Sequence, residues 1–183
     1  MGYFAVIDTE TNWADQVMSI GTVIGDEETF QCVDARYHVL DPEYLVGGMY
    51  ESVLFPDRRL RSVLCSRAQA MADLLGWLEG YGVSAMFAYN AAFDHNHMPE
   101  LSRLDWYDIM RLAAYRQHNF KISRSAECFG TGRLKRGYGV EPMLRLLSGD
   151  CGYQETHNAL YDAMDELEIM RLLGHGLEDY IRL

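Results

Sequence analysis

Long apolar runs, paired cysteines and an excess of basic residues are all missing from this chain of 183 residues. No apolar run approaches the roughly 20 residues that a membrane-spanning helix needs. The first residues also lack the basic start and apolar stretch of a signal peptide. The four cysteines are scattered without a C-x-x-C pair, which argues against a zinc site or a disulfide framework. We therefore expect a folded cytoplasmic protein with free thiols and no membrane contact.

Positive charge is scarce as well, with 16 Lys and Arg against 27 Asp and Glu and a formal net charge of -11. This balance argues against a general nucleic-acid coat protein. The charge is uneven, because residues 103–145 hold nine Lys or Arg and four Asp or Glu, a net of +5. Arg58, Arg59, Arg61 and Arg67 form a second basic cluster. A small anionic substrate could therefore be bound locally by this acidic protein.

The stretch at residues 4–11 is an apolar run that ends in two carboxylates, Asp8 and Glu10. If residues 3–8 form a buried strand, the period of two places both acids on one face at its end. Two neighbouring acids repel each other, and burying either one unpaired is costly. A cation between them removes that cost, and oxygen ligands suit Mg²⁺ or Mn²⁺. The stretch therefore predicts a metal site.

The rest of the chain predicts a hairpin-rich first part followed by alternating helices and strands. Turn signals and periodicity place strands at 17–24, 29–39, 83–89 and 106–110, and helices at 68–80, 91–101, 112–118, 141–148 and 157–173. Two segments lack a clear period: a surface excursion at 43–62 and a mobile basic loop at 121–140. This order indicates an α/β fold in which helices cover a mixed sheet, within one domain spanning residues 1–183.

Two later segments add acids to the opening pair. Asp94 follows a predicted buried strand in the sequence Tyr-Asn-Ala-Ala-Phe-Asp, and Asp162 lies in the last predicted helix, five residues after His157. The motifs Asp-x-Glu, Asn-x-x-Phe-Asp and His-x-x-x-x-Asp, in this order, resemble the DEDDh 3′–5′ exonuclease superfamily. The resemblance extends from residue 4 to about residue 173. Asn158 stands where the related Tyr-type branch has a tyrosine, so the sequence matches the His-type branch.

This resemblance implies a ribonuclease H-like fold, with a five-stranded mixed sheet flanked by helices. It also implies that Asp8, Glu10, Asp94 and Asp162 bind two Mg²⁺ or Mn²⁺ ions and that His157 is the general base. The expected reaction releases nucleoside 5′-monophosphates from single-stranded or short DNA or RNA with a free 3′ end. A second copy of the chain and a polymerase are the candidate protein partners, and the sequence leaves the oligomeric state open.

Four residues beside these motifs are candidates for substrate binding: Thr11, Trp13, Asn90 and Phe93. Trp13 and Phe93 suit stacking on terminal bases, although Phe93 fits the core nearly as well. The sequence departs from the family here, since Tyr89 stands where His or Gly is frequent and Thr11-Asn12-Trp13 replaces a frequent Thr-Thr-Gly. These departures affect substrate preference. Arg133, Lys135 and Arg136 either contact phosphates or belong to a solvated loop.

Other interpretations remain for individual acids and for the whole chain. Asp94 fits a helix N-cap, and among Asp162, Asp165, Glu166 and Glu168 we expect one acid to face the site and the others to face water. A haloacid-dehalogenase-like phosphatase would use Asp8 as its nucleophile, but Glu10 and the following hairpin argue against it. A non-catalytic exonuclease-like module that binds a replication or repair assembly is the other alternative.

Overall fold

A mixed β-sheet forms the centre of the computed structural model, which describes residues 2–55 and 61–183. Its six strands among those residues are β1 (Tyr3–Thr11), β2 (Val17–Asp26), β3 (Cys32–Leu40), β4 (Val63–Cys65), β5 (Ala85–Ala88) and β6 (Asp105–Asp108). The order across the sheet is β4-β3-β2-β1-β5-β6. The β1–β2 and β2–β3 pairs are antiparallel, whereas β3–β4, β1–β5 and β5–β6 are parallel.

Helices cover both faces of this sheet. They are α1 (Arg67–Gly80), α2 (Ala92–His97), α3 (Met110–Ala113), α4 (Val140–Ser148) and α5 (Ala159–Leu173). Phe4 and Val6 pack in the core beneath α4 and α5, whereas Ala5 and Ile7 pack in the core beneath α1. Strand β1 is therefore buried on both faces, as its apolar sequence predicts. No helix in the described part of the chain is both long and apolar enough to span a membrane.

The predicted α/β fold with a mixed sheet is confirmed, but the predicted number of five strands is wrong. The sixth strand, β4, adds to the edge by pairing its three residues in parallel with His38–Leu40. Three residues are too few to produce a periodic signal. Within the predicted excursion, the described residues form 3₁₀ turns at Glu43–Val46 and Glu51–Val53. Residues 56–60, including Arg58 and Arg59 of the second basic cluster, lie outside the described residues.

Several predicted helices are too long. The predicted helix at 91–101 divides into α2 and a 3₁₀ turn at Pro99–Leu101, and the one at 112–118 is replaced by the short α3. Helix α5 begins at Ala159, two residues later than predicted, because the side chain of Asn158 caps it by accepting a hydrogen bond from the Leu160 N–H. Residues 121–139 contain no helix or strand, in agreement with the predicted loop, while their mobility stays a prediction.

Gly21 lets α5 approach the sheet closely. This residue of β2 pairs with Asp8 of β1. A Cβ atom at position 21 would lie 2.1 Å from the carbonyl carbon and oxygen of Ala159 and 2.2 Å from the nitrogen of Leu160. Because these are backbone atoms, they cannot be displaced without moving the first turn of α5. The absence of a side chain at position 21 therefore determines how closely α5 packs on β2.

We expect Gly21→Ala to destabilise the protein by about 1–3 kcal/mol, because the new methyl group forces α5 away from the sheet. Gly76→Ala in α1 is the matched control, since no described atom lies within 4 Å of the Cβ position there. Gly76→Ala should be neutral or stabilise by up to about 1 kcal/mol. Urea unfolding of the three proteins measures the difference, and equal stability of wild type and Gly21→Ala would contradict the close approach.

Candidate active site

Asp8 and Glu10 project from the end of β1 on the same face as Phe4 and Val6, which is the face that α5 covers. Asp162 lies in the first turn of α5 and is buried. One carboxylate oxygen from each of Asp8, Glu10 and Asp162 lies within 4.8 Å of the other two. The fold therefore brings together three acids that are separated by up to 154 residues in the sequence.

Two oxygens in this group are buried and lack a partner. Oδ2 of Asp8 and Oδ1 of Asp162 make no hydrogen bond with any residue in 2–55 or 61–183. A buried carboxylate oxygen without a partner is costly. A divalent cation would satisfy both oxygens at once, and hard oxygen donors are the ligands that Mg²⁺ and Mn²⁺ prefer. The donor set therefore fits the predicted metal.

Asp94, the fourth predicted ligand, lies in α2 beside this group. It is buried, and its Oδ1 accepts a hydrogen bond of 2.7 Å from the Thr9 hydroxyl. Burial raises the pKa of Asp8, and the nearby charge of Asp94 raises it further. The N-cap of α2 is Ala91, so the interpretation of Asp94 as the capping residue is wrong.

Glu166 is a further buried acid, which the sequence did not single out. It lies one turn after Asp162 in α5, is 2% exposed, and accepts a hydrogen bond of 3.0 Å from the Tyr89 N–H at Oε2. The expectation that only one acid of this helix faces inward is therefore wrong. The spacing of four residues from Asp162 was the available signal, because it places both side chains on one helix face.

Glu155 is the second acid that the sequence analysis missed. Its Oε1 lies 3.9 Å from Nδ1 of His157, and Glu155, His157 and Asp162 each offer a ligand atom within 4.8 Å of the others. The backbone N–H of Glu155 donates to Oε2 of Glu141 at 3.0 Å, which ties this extended segment to α4. Residues 155–157 form no helix or strand, so no periodic pattern indicated that Glu155 turns inward.

His157 precedes α5 in a backbone conformation that is unusual for histidine, with φ at 56°. Its imidazole stacks on the ring of Tyr50, with centroids 4.4 Å apart and planes 20° from parallel. The next residue, Asn158, donates from Nδ2 to the Val53 carbonyl at 2.8 Å and to the Tyr37 hydroxyl at 2.9 Å. The excursion that contains Tyr50 therefore holds both His157 and the start of α5.

The four predicted substrate-binding residues lie close in sequence to Glu10 or Asp94, and the structure does not test their roles. Trp13 is 68% exposed and Phe93 is 39% exposed, so the interpretation of Phe93 as a core residue is wrong. The Phe93 ring packs 4.3 Å from His97, which also contacts Asp15 beyond Trp13. Asn90 is exposed with φ at 61°, and Thr11 follows a register shift in β1.

Comparison with solved structures finds the same architecture in exonuclease domains. The chain matches the nuclease domain of 3′hExo, described as a DEDDh family member bound to rAMP, with a TM-score of 0.66 and 17% identity, covering 99% of this chain and 96% of that one. Exonuclease X bound to 5′-overhanging duplex DNA matches with a TM-score of 0.54 and 19% identity, covering 92% and 90%. The chain has the fold of a DEDDh exonuclease domain.

A third match is Escherichia coli exonuclease I in a zinc-bound complex with single-stranded DNA, with a TM-score of 0.59 and 12% identity. It covers 94% of this chain and 40% of that protein. No family model matches the sequence, and no curated protein matches it either. At these identities the likeness establishes the fold alone, which is ribonuclease H-like as predicted.

Burial and mutual repulsion together raise the pKa values of the acids in this site. Burial is the largest cause in every case. It acts with the neighbouring carboxylates to raise the pKa of Glu10 to about 8 and that of Asp162 to about 8. The pKa of Asp94 rises to about 7, even though the Thr9 hydrogen bond opposes the shift. The pKa values of Asp8 and Glu166 are raised well above the usual range.

These shifts predict that the metal-free protein loses stability as pH rises. A carboxyl with a raised pKa keeps a proton that the unfolded chain releases, so the cost begins above the unfolded value near pH 4 and is complete near the folded value of about 8. We expect the Tm in EDTA to fall between about pH 5 and pH 8, and Mn²⁺ to restore it most at the upper end.

Differential scanning fluorimetry across this pH range measures the effect. Glu10→Gln should reduce the fall in Tm between pH 5 and pH 8, because the variant has no charge to bury at that position. Glu28→Gln, at an exposed turn, should leave the fall unchanged. A Tm in EDTA that rises from pH 5 to pH 8 would show that the acids are not buried together.

Proposed function

We propose that the protein is a metal-dependent 3′–5′ exonuclease that acts on single-stranded or short nucleic acid. The observation that carries this proposal is the meeting of Asp8, Glu10 and Asp162 around two buried carboxylate oxygens that have no partner among the described residues. The shared fold supports it, because the matched structures are described as exonucleases, two of them with bound DNA. The catalytic domain would comprise the whole of residues 1–183.

Asp8, Glu10, Asp94 and Asp162 would hold two Mg²⁺ or Mn²⁺ ions. When bound, such ions polarise the phosphodiester and stabilise charge on its attacking and leaving oxygens. The acids contribute a compact set of oxygen donors that are already desolvated. Glu166 stays outside this set as a positioning group, because its Oε2 is bound to the Tyr89 N–H and thereby connects α5 with the end of β5.

His157 would accept the proton of the attacking water. Imidazole suits this role because it titrates near neutral pH. Nδ1 faces Glu155, which leaves Nε2 as the nitrogen available to the water. As the water oxygen bonds to phosphorus, the 3′-oxygen of the preceding nucleotide leaves, and the terminal residue is released as a nucleoside 5′-monophosphate. The Tyr50 ring would keep the imidazole in one orientation during this step.

The terminal nucleotide would rest among Thr11, Trp13, Asn90 and Phe93. The rings of Trp13 and Phe93 are both exposed, and stacking of a base on such a ring is worth about 1–3 kcal/mol. Because stacking does not read sequence, we propose hydrolysis without strong base preference. A homodimer or a polymerase partner gains no support from the matched structures and stays a prediction.

Asp8→Asn and Asp162→Asn should each abolish release of 5′-mononucleotides in Mg²⁺ or Mn²⁺, because each variant removes a charge needed to hold the metal. The assay uses a 3′-labelled oligonucleotide with and without EDTA. Glu168→Gln is the matched control on α5, where Glu168 pairs with Arg171 at the surface. Full activity in Asp162→Asn would refute the assignment of the metal ligands. An inactive wild type that still binds DNA would favour the non-catalytic module.

His157→Ala should lower kcat by about 10²–10⁴-fold while Mn²⁺ binding persists, because the variant removes the base and keeps the acids. The shape of the pH–rate profile should also change, because the variant has no base at this position. His175→Ala provides the control, since His175 contacts the backbone oxygen of His118 instead of the acidic group. An unchanged pH–rate profile in His157→Ala would exclude the proposed base.

A further inference from the structure

A cavity of about 310 Å³ opens beside the acidic group, and of its lining residues Asn90 alone was assigned above to the terminal nucleotide. It is lined by Tyr89, Asn90, Met110, Arg133, Tyr138 and Gly139. The N–H of Tyr89 is bonded to Oε2 of Glu166, which lies one turn after Asp162 in α5. The cavity is therefore directly adjacent to the proposed catalytic centre.

Arg133 supplies the positive charge of this cavity. Its guanidinium carbon lies 5.0 Å from the centre of the Phe129 ring and 4.9 Å from that of the Tyr138 ring, so two aromatic faces hold the group in place. Within residues 2–55 and 61–183, Arg133 makes no ion pair with a carboxylate. A fixed guanidinium with free donors matches the geometry of a phosphate.

The other walls provide complementary groups for a nucleotide. The backbone of Asn90 is fixed by its N–H bond of 3.1 Å to Asp108, while its side-chain amide is unbonded in the described part of the molecule. The ring of Tyr138 is 38% exposed, which leaves part of it available for stacking. The carbonyl of Tyr138 already accepts the Tyr89 hydroxyl. The cavity thus combines a cation, an amide and an aromatic surface.

We propose that this cavity binds the nucleotide on the 5′ side of the scissile phosphodiester, with its phosphate on Arg133 and its base on Tyr138. The inference rests on the proposed exonuclease function. A chain cut at its 3′ end continues only in the 5′ direction, so a second nucleotide site must hold the preceding residue. Arg133 also offsets the repulsion that the acidic group exerts on a polyanion. Lys135 and Arg136 are exposed just beyond it.

The test compares a thymidylate decamer with the p-nitrophenyl ester of thymidine 5′-monophosphate, which has a terminal nucleotide but no preceding one. In Arg133→Gln, the KM of the decamer should rise about tenfold more than the KM of the ester, the change expected for one lost charge-assisted phosphate contact. The kcat values should change less than the KM values, since the contact binds ground state and transition state alike. Tyr138→Leu should act in the same direction, and Tyr138→Phe should not.

Arg124→Gln is the matched control, because Arg124 is an exposed cation of the same loop that does not line the cavity. Fluorescence anisotropy of a labelled decamer, measured with each variant, keeps the test independent of hydrolysis. If the wild type is inactive but Arg133→Gln weakens decamer binding and Arg124→Gln does not, the nucleotide site in the cavity is supported and the exonuclease function is refuted. Equal KM changes for decamer and ester, or weakening by Arg124→Gln as large as that by Arg133→Gln, would overturn the inference.

Discussion

The structure depends on the confinement of several like charges beneath the first turn of α5. Asp8, Glu10 and Asp162 offer oxygens within 4.8 Å of one another, and Asp94 and Glu166 are buried beside them. Such an arrangement opposes folding, so the surrounding apolar cores must offset its cost. Gly21 increases the repulsion between the acids, because its missing side chain lets α5 pack closely on β2 beside Asp8. The buried acids therefore lower the stability of the metal-free protein, and a cation bound between them would restore it.

Hydrogen bonds between a carboxylate and a backbone N–H connect the segments around the four predicted ligands. Glu166 accepts the Tyr89 N–H at the end of β5, Asp108 accepts the Asn90 N–H from the end of β6, and the N–H of Glu155 is bonded to Glu141 of α4. These bonds fix the ends of the short strands β5 and β6 and the irregular segment at 155–157. Asp108, left out of the predicted site as a structural residue, binds two backbone N–H groups and Arg111 among the described residues.

The sequence predicted the α/β class, the buried first strand and the acids that converge, since each depends on local periodicity and on motif order. It did not predict β4, because a three-residue edge strand is defined by its partner and has no pattern of its own. It placed the start of α5 too early. The helix begins after its N-cap, Asn158, whose amide is held by Tyr37 and Val53, and contacts between residues so far apart leave no local sequence pattern. Glu155 was similarly hidden, and for Arg133 the sequence left open whether it contacts a phosphate or belongs to a solvated loop. Their surroundings come from segments without a period, where only the tertiary structure determines which side chains face inward.

The excursion at residues 43–55 is attached at both ends, and this limits how it can vary in length. Near its start, Glu43 and Gly47 accept hydrogen bonds from Asn12 and from the Trp13 N–H. Near its end, the carbonyls of Val53 and Leu54 accept from Asn158 and Tyr37. A surface loop normally tolerates insertions and deletions. Here, adding or removing a residue between the two attachments would rotate Tyr50 away from His157, so natural variants of this chain should change the composition of this segment more readily than its length.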